Sequence, residues 1–349
     1  MNARTASGPP PARHGWAGAL ATVLGALLAM GVVAAAGLWA AGATDLPGDS
    51  FPQVVAATLV TAVGGSVKLS GDAGELAGTE GGLTVIPLSV TLAGALAAGW
   101  GFLRPLRHRA VAGAPELAGW AARIAVLWLL AVLGLALAAR HTYELSLGEG
   151  LLGDLGDLFG IRPVVGFSTD VAPTVLIGLV WLAGVLLVAL MVSRGAPLPT
   201  GLLRLRTSVR PAAYAMMLLL LAAVGIGLVI ALVVAATRGH PADTFAVILL
   251  GLPNVVWLGL TLGLGATWDG RVEGPFGLPM PHVLDEVLRT PDVSVLNLGT
   301  LTEHDGGKWW LLLVVSAVLL CAAAFVMAAR SPPGSGPGST PCTWRWRWH

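Results

Sequence analysis

The chain has 349 residues, 55% of them hydrophobic and only 11% charged, with a formal net charge of +1 and a mean hydropathy of +0.79. A soluble domain runs nearer about 45–50% apolar and about 25% charged, so there is too little polar surface here to cover a water-soluble body of this size. The near-neutral balance offers nothing to nucleic acid, and the two cysteines, Cys321 and Cys342, make neither a disulfide framework nor a metal-ligand spacing.

The apolar residues fall in long blocks, and about 20 such residues span a hydrocarbon core of about 30 Å. Residues 1–15 carry Arg4 and Arg13 with no acid and read as a cytoplasmic segment. Trp16–Ala41 follows, too long for the roughly 7–15-residue core of a cleaved signal peptide, and is expected to stay as the first span. Further spans are predicted over Leu83–Leu103, Gly119–Ala139, Ala172–Val192, Pro211–Thr237 and Trp309–Ala329. None carries an ionised side chain in its middle; Arg123 lies one turn inside its block, close enough to snorkel to headgroups. Phe51–Gly65 is too short to span. Thr244–Trp268 is long enough, but Gly251-Leu252-Pro253-Asn254 interrupts it, and proline in mid-helix removes a hydrogen bond and clashes with the preceding turn. Residues 331–349 read as a disordered cytoplasmic tail ending in Trp344-Arg345-Trp346-Arg347-Trp348-His349. Alternating Trp and Arg suits a headgroup layer, and a terminus without a role accounts for it equally.

Charge placement predicts topology, because cytoplasmic loops retain Lys and Arg. Residues 1–15, the segments after the second, fourth and sixth spans, and Arg123 together hold thirteen basic residues and one acid, Glu116. Segments 42–82, 140–171 and 238–308 hold seven basic residues and eighteen acids. Both termini are therefore expected inside, which requires an even number of crossings. The six blocks satisfy this if Thr244–Trp268 is a re-entrant hairpin broken at Leu252-Pro253-Asn254. The alternative, favoured by length alone, is a seventh full span that places the acid-rich segment 269–307 inside.

An internal echo supports the hairpin. Phe51-Pro52-Gln53-Val54-Val55 aligns with Leu252-Pro253-Asn254-Val255-Val256, 201 residues on, with five identities in sixteen ungapped positions. The chain reads as three parallel pseudo-repeats, 16–110, 119–206 and 211–330, related by an axis along the membrane normal. Strand-like runs recur early in each outer loop (Ser66–Ser70, Tyr143–Leu147, Gly270–Glu273) and late in each (Leu83–Ile86, Pro163–Ser168, Asp292–Leu296). Such alternation argues for half-buried strands, so each outer loop is expected to close as a small extracytoplasmic β-hairpin. The predicted fold is all-α and polytopic, with six transmembrane helices plus short re-entrant or interfacial helices.

Chemical signatures are missing. There is no G-x-x-x-x-G-K-[ST] loop, no H-E-x-x-H and no G-x-S-x-G; the chain is expected to be no enzyme and to need no cofactor or metal. Glu303-His304-Asp305 is the densest polar cluster and reads as a solvated loop. The outer acids would keep that face hydrated or attract a partner, and Leu202–Arg206 suits an interface with anionic lipid. The polar residues of most interest are Gln53 and Asn254, with Thr58 and Thr261 further along the same short helices. They either line a solute path, as broken helices do in transporters, or merely cap helix starts. Two functions from different classes follow: transport or permeation of a small or lipidic solute, or a non-catalytic envelope scaffold whose acidic outer loops bind partners. Besides the bilayer, a homo-oligomeric or envelope partner is open.

The segments Gly64-Gly65-Ser66-Val67-Lys68-Leu69-Ser70-Gly71, Leu252–Gly263 and Phe102-Leu103-Arg104-Pro105-Leu106-Arg107 resemble the streptophobe family, very hydrophobic multi-pass proteins of streptomycetes and relatives. The resemblance covers approximately residues 16–330. It implies an actinobacterial plasma membrane and supplies no catalytic residues. Two lysines against eighteen arginines, with heavy Ala, Gly and Val, also suit a GC-rich bacterium.

Overall fold

The structure is a computed structural model and describes residues 15–45, 50–72, 78–83, 86–106, 114–139, 141–144, 164–193, 203–237, 239, 241–270 and 294–331. The chain is an all-α multi-pass membrane protein. Its helices are α1 (Trp16–Ala40), α2 (Phe51–Ala62), α3 (Leu88–Leu103), α4 (Ala114–Ala138), α5 (Val171–Val192), α6 (Leu203–Thr237), α7 (Pro241–Gly263), α8 (Leu298–Asp305) and α9 (Trp310–Arg330). Short strands lie between them: β1 (Val67–Asp72), β2 (Gly78–Leu83), β3 (His141–Glu144), β4 (Val164–Thr169), β5 (Trp268–Gly270) and β6 (Ser294–Leu296).

The spanning helices are apolar all round, so hydropathy does not choose their buried faces; side-chain size does. The buried stripe of α1 is Ala19, Thr22, Val23, Ala26, Met30, Ala34 and Gly37, spaced at three and four residues and built mostly from small side chains. Small residues let helix backbones approach in lipid, where burial of apolar surface gives no drive. Gly94 and Gly101 of α3 face Met30 and Thr22 of α1 so closely that an added Cβ would stand 2.5 Å from Met30 Sδ and 2.7 Å from Thr22 Cγ2. The larger members of the core come from α4, whose Trp120, Ile124, Trp128 and Val132 are at most 2% exposed. Trp128 stacks on Trp181 with ring centroids 5.2 Å apart. Its indole N–H donates to the Gly178 carbonyl at 3.0 Å, and that of Trp120 donates to the Phe102 carbonyl at 3.2 Å.

These contacts set the levels of the helix ends. Gly18, Phe102 and Trp120 meet at one end of the bundle. Ala189 faces Gly99 there, Arg210 donates to the Leu190 carbonyl, and Arg330 covers the Tyr214 ring. The start of α1 and the end of α9 thus lie at the same end, the arginine-rich one; the strands lie at the other, here called the outer end.

Among the described residues, six helices are long and apolar enough to cross a bilayer: Trp16–Ala40, Pro115–Ala138, Val171–Val192, Val209–Thr237, Pro241–Gly263 and Gly307–Arg330. This set includes α7 and omits α3, and packing reverses both assignments. The 16 residues of α3 continue into a 3₁₀ turn, Arg104–Leu106, so that rises of about 1.5 and 2.0 Å per residue give about 30 Å. Helix α3 runs from the outer end to Phe102 and crosses. Helix α7 meets only outer halves. Leu249 and Leu250 face Gly37 near the end of α1, Val256 faces Gly227 ten residues before the end of α6, and Gly263 faces Leu312 and Ser316 in the first turns of α9. It enters at the tight turn through Gly239 (φ 76) and slants over the outer ends of α1 and α3.

The expected break at Leu252-Pro253-Asn254 is therefore absent: α7 is one continuous helix that nonetheless enters and leaves on the outer side. Pro253 has no N–H to donate to the Leu249 carbonyl one turn back, yet the helix runs on through it. One residue before that carbonyl, Ser89 Oγ donates to the Ile248 carbonyl at 2.8 Å and ties the start of α3 to this stretch of α7. Four other expectations change. Leu83 belongs to β2, so the second span starts at Leu88, and the late strand of the first loop is Gly78–Leu83 rather than Leu83–Ile86. Pro211 lies inside α6, which begins at Leu203 and takes in Leu203–Arg206. Glu303–Asp305 ends helix α8, capped reciprocally by Asn297 and Thr300, and is not a loop. Residues 145–147, 271–273 and 332–349 lie outside the described residues.

The strands form two sheets. β5 pairs with β6 alone, as expected for a hairpin closing one loop. The other two loops do not stay separate: β1 pairs with both β2 and β4, giving a four-stranded sheet of order β2-β1-β4-β3. The hairpins are fused because β1 and β4 align over six residue pairs, from Val67↔Thr169 to Asp72↔Val164. Thr169 Oγ1 donates to the Ala139 carbonyl at 3.1 Å and ties β4 to the end of α4.

Candidate functional site

Helix α2 and the second half of α7 share a construction. Each ends on a left-handed glycine, Gly64 (φ 87) and Gly265 (φ 92), a conformation that L side chains avoid. The next residue closes the cap in both: the Gly65 amide donates to the Val60 carbonyl, and the Ala266 amide to the Thr261 carbonyl, each at 2.9 Å. Strands β1 and β5 start two residues later. The 201-residue offset holds through every one of these features.

The four polar residues singled out in sequence lie on these helices and are occupied by structure. Gln53 sits half-buried in the first turn of α2. Thr58 Oγ1 donates to the Val54 carbonyl at 2.8 Å within its own helix. Thr261 Oγ1 donates to the Leu258 carbonyl at 2.9 Å and accepts from the Trp268 indole at 3.1 Å. Asn254 spends both ends of its amide on the segment before α3. Its Nδ2 donates to the Ile86 carbonyl at 3.0 Å, and its Oδ1 accepts from the Leu88 amide at 3.2 Å. Asn254 is a helix cap, but for α3 rather than for its own helix. Helix α2 packs on α4, α1 and α3, and α7 on α6, α1, α3 and α9, so the two helices share α1 and α3 as neighbours.

What the structure shows instead is one hydroxyl near the start of each of the three returning helices. Thr91 Oγ1 of α3 donates to the Ala62 carbonyl, at the end of α2, at 2.6 Å. Ser316 Oγ of α9, 2% exposed, donates to the Leu260 carbonyl near the end of α7 at 3.3 Å. Thr174 of α5 is wholly buried against Gly65, and its hydroxyl has no hydrogen-bond partner among the described residues. Sequence reading missed these residues because a lone Ser or Thr in an apolar block carries no signal.

A second missed feature is a cavity of about 470 Å³ at the arginine-rich end, where Arg210 and Arg330 face one space between α5, α6 and α9. Both arginines were visible as topology markers; their convergence was not, since 120 residues separate them. Among the described residues, no group of three or more His, Cys, Asp or Glu side chains is placed to hold a metal. Compared with protein-family models, with curated proteins and with solved structures, the chain matches none.

Proposed function

We propose that this chain is a non-catalytic scaffold of a bacterial plasma membrane, holding the β2-β1-β4-β3 sheet at the outer end of its bundle as a platform for an envelope partner. The β1–β4 ladder carries this reading. Pairing two loops into one sheet locks the outer ends of the first two helix pairs together, and among the described residues it leaves β2 and β3 as edges. An edge strand offers a row of backbone donors and acceptors to an added strand, from a partner or from a second copy. The arginine-rich end is placed in the cytoplasm with both termini, on the charge bias. The matched caps 201 residues apart support an internal repeat, and the sequence resemblance alone supports membership of the streptophobe family in an actinobacterial membrane.

Transport or permeation of a small or lipidic solute keeps one supporting observation: α2 and α7 enter only the outer half of the bundle, as broken helices do around transporter sites. A path from α2 would pass among α1, α3, α4 and α5. There Met30, Phe102, Ile124, Trp128 and Val132 are each at most 1% exposed and fill the space. Photo-crosslinking groups placed at Glu80 in β2 and Tyr143 in β3, in intact cells, separate the two readings. The scaffold reading expects a discrete adduct at one edge or both, and no protein-dependent solute release from reconstituted vesicles. Protein-dependent flux without an adduct overturns it.

A further inference from the structure

We infer that the cleft between the arginine-rich ends of α5, α6 and α9 binds the phosphate of an anionic phospholipid from the adjoining leaflet. The cleft is independent of the outer sheet and of the scaffold reading. Its walls are the end of α5 (Val192, Ser193), the region of α6 around Arg210, Pro211 and Tyr214, and the last residue of α9, Arg330. At about 470 Å³ it falls within the roughly 300–1,000 Å³ typical of ligand pockets. Among the described residues, two guanidiniums and no carboxylate line it.

The hydrogen bonding suits an oxyanion. Arg330 lies over the Tyr214 ring, 3.4 Å from its centroid. A guanidinium that uses its face on an aromatic ring keeps its in-plane N–H edge for an acceptor, and that edge matches phosphate in a forked geometry. Arg210 donates to the Leu190 carbonyl at 3.5 Å, and its guanidinium lines the same cleft as that of Arg330. Ser193 adds a hydroxyl at the rim.

The surroundings select a lipid over a soluble phosphate. The cleft opens at the bundle end where a headgroup layer meets the helices. Above it, Met216 of α6 and Phe325 and Met327 of α9 turn apolar side chains outward, with Phe325 75% exposed, a surface along which acyl chains would lie. Basic pockets between membrane helices on this side are a recognised form of acidic-headgroup site. The simpler role for both arginines is to offset the exposed carbonyls at the ends of α5 and α9. That role predicts no lipid selectivity.

The test uses the full purified chain in nanodiscs of phosphatidylcholine doped with phosphatidylglycerol, with retained lipid counted by native mass spectrometry. Phosphatidylglycerol is expected to be retained selectively, and Arg210→Gln with Arg330→Gln to weaken that retention roughly tenfold or more, as for loss of two charged contacts. Arg104→Gln with Arg123→Gln removes the same charge outside the cleft and should leave retention unchanged. Equal loss in the two double variants would reduce the effect to general surface charge and overturn the site. Competition by millimolar inorganic phosphate as effective as the lipid would also overturn it, in favour of a soluble anion. If the cleft variant does not fold, photoactivatable phosphatidylglycerol on the unaltered protein decides. An adduct on Ser193, Tyr214 or Ala329 supports the site, and labelling confined to other segments sinks it.

Discussion

At the scale of single residues, Asn254 separates what is conspicuous from what is used. A polar amide in an apolar run stands out in sequence, where it reads as a site or as a cap. Its partners, Ile86 and Leu88, lie 168 and 166 positions away, a pairing no local pattern can suggest. Asn254→Ala should lower the stability of the protein in detergent, by about 0.6–1.7 kcal/mol for each hydrogen bond lost on the scale seen in membrane proteins. Asn254→Asp keeps the acceptor for the Leu88 amide but not the donor for Ile86, and should fall between. Unchanged thermal unfolding of Asn254→Ala would show that the amide does not hold α3 and would return it to the candidate solute path. Thr91 and Ser316 show the reverse case, inconspicuous in sequence and tethering in space.

At the scale of elements, the helices were legible and their ends were not. Long apolar blocks specify membrane helices because an unpaired backbone in hydrocarbon is too costly. That argument covers α1, α4, α5, α6 and α9, whose positions shift by only a few residues from expectation at most ends. It fails at the start of α3, because Leu83, Val85 and Ile86 extend its apolar run in sequence although Leu83 ends β2 and the helix starts only at Leu88. It failed also at Pro253, where a local rule predicted a break and the helix runs on, packed against α1, α3, α6 and α9. The glycine caps give a clean test of the two short helices. At Gly265 an added Cβ meets nothing within 4 Å, so Gly265→Ala should cost only the left-handed strain, about 1–2 kcal/mol. At Gly64 the added Cβ also stands 2.8 Å from Ile177 Cγ2. Gly64→Ala should therefore destabilise more in the same denaturation measurement, and an equal or smaller loss would contradict the close approach of Gly64 to Ile177.

At the scale of the whole molecule, the question is how many times the chain crosses. Length alone elects α7 and passes over α3; contacts elect α3 and keep α7 at the outer end. Topology reporters fused after Gly306 and after Arg330 should report opposite sides, external for the first and cytoplasmic for the second. A cytoplasmic signal after Gly306 would mean that α7 crosses, and the packing described here would be wrong. Composition, block length and arginine placement were enough to establish a multi-pass membrane protein and to anticipate six crossings, because bilayer thickness and charge retention act on sequence directly. They could not say which face of each helix is buried, since apolarity is uniform around the helix and the choice rests on which small residues meet. Nor could they join β1 to β4 or bring Arg210 to Arg330, because those pairings depend on how distant helices align, and only the packed bundle sets that alignment.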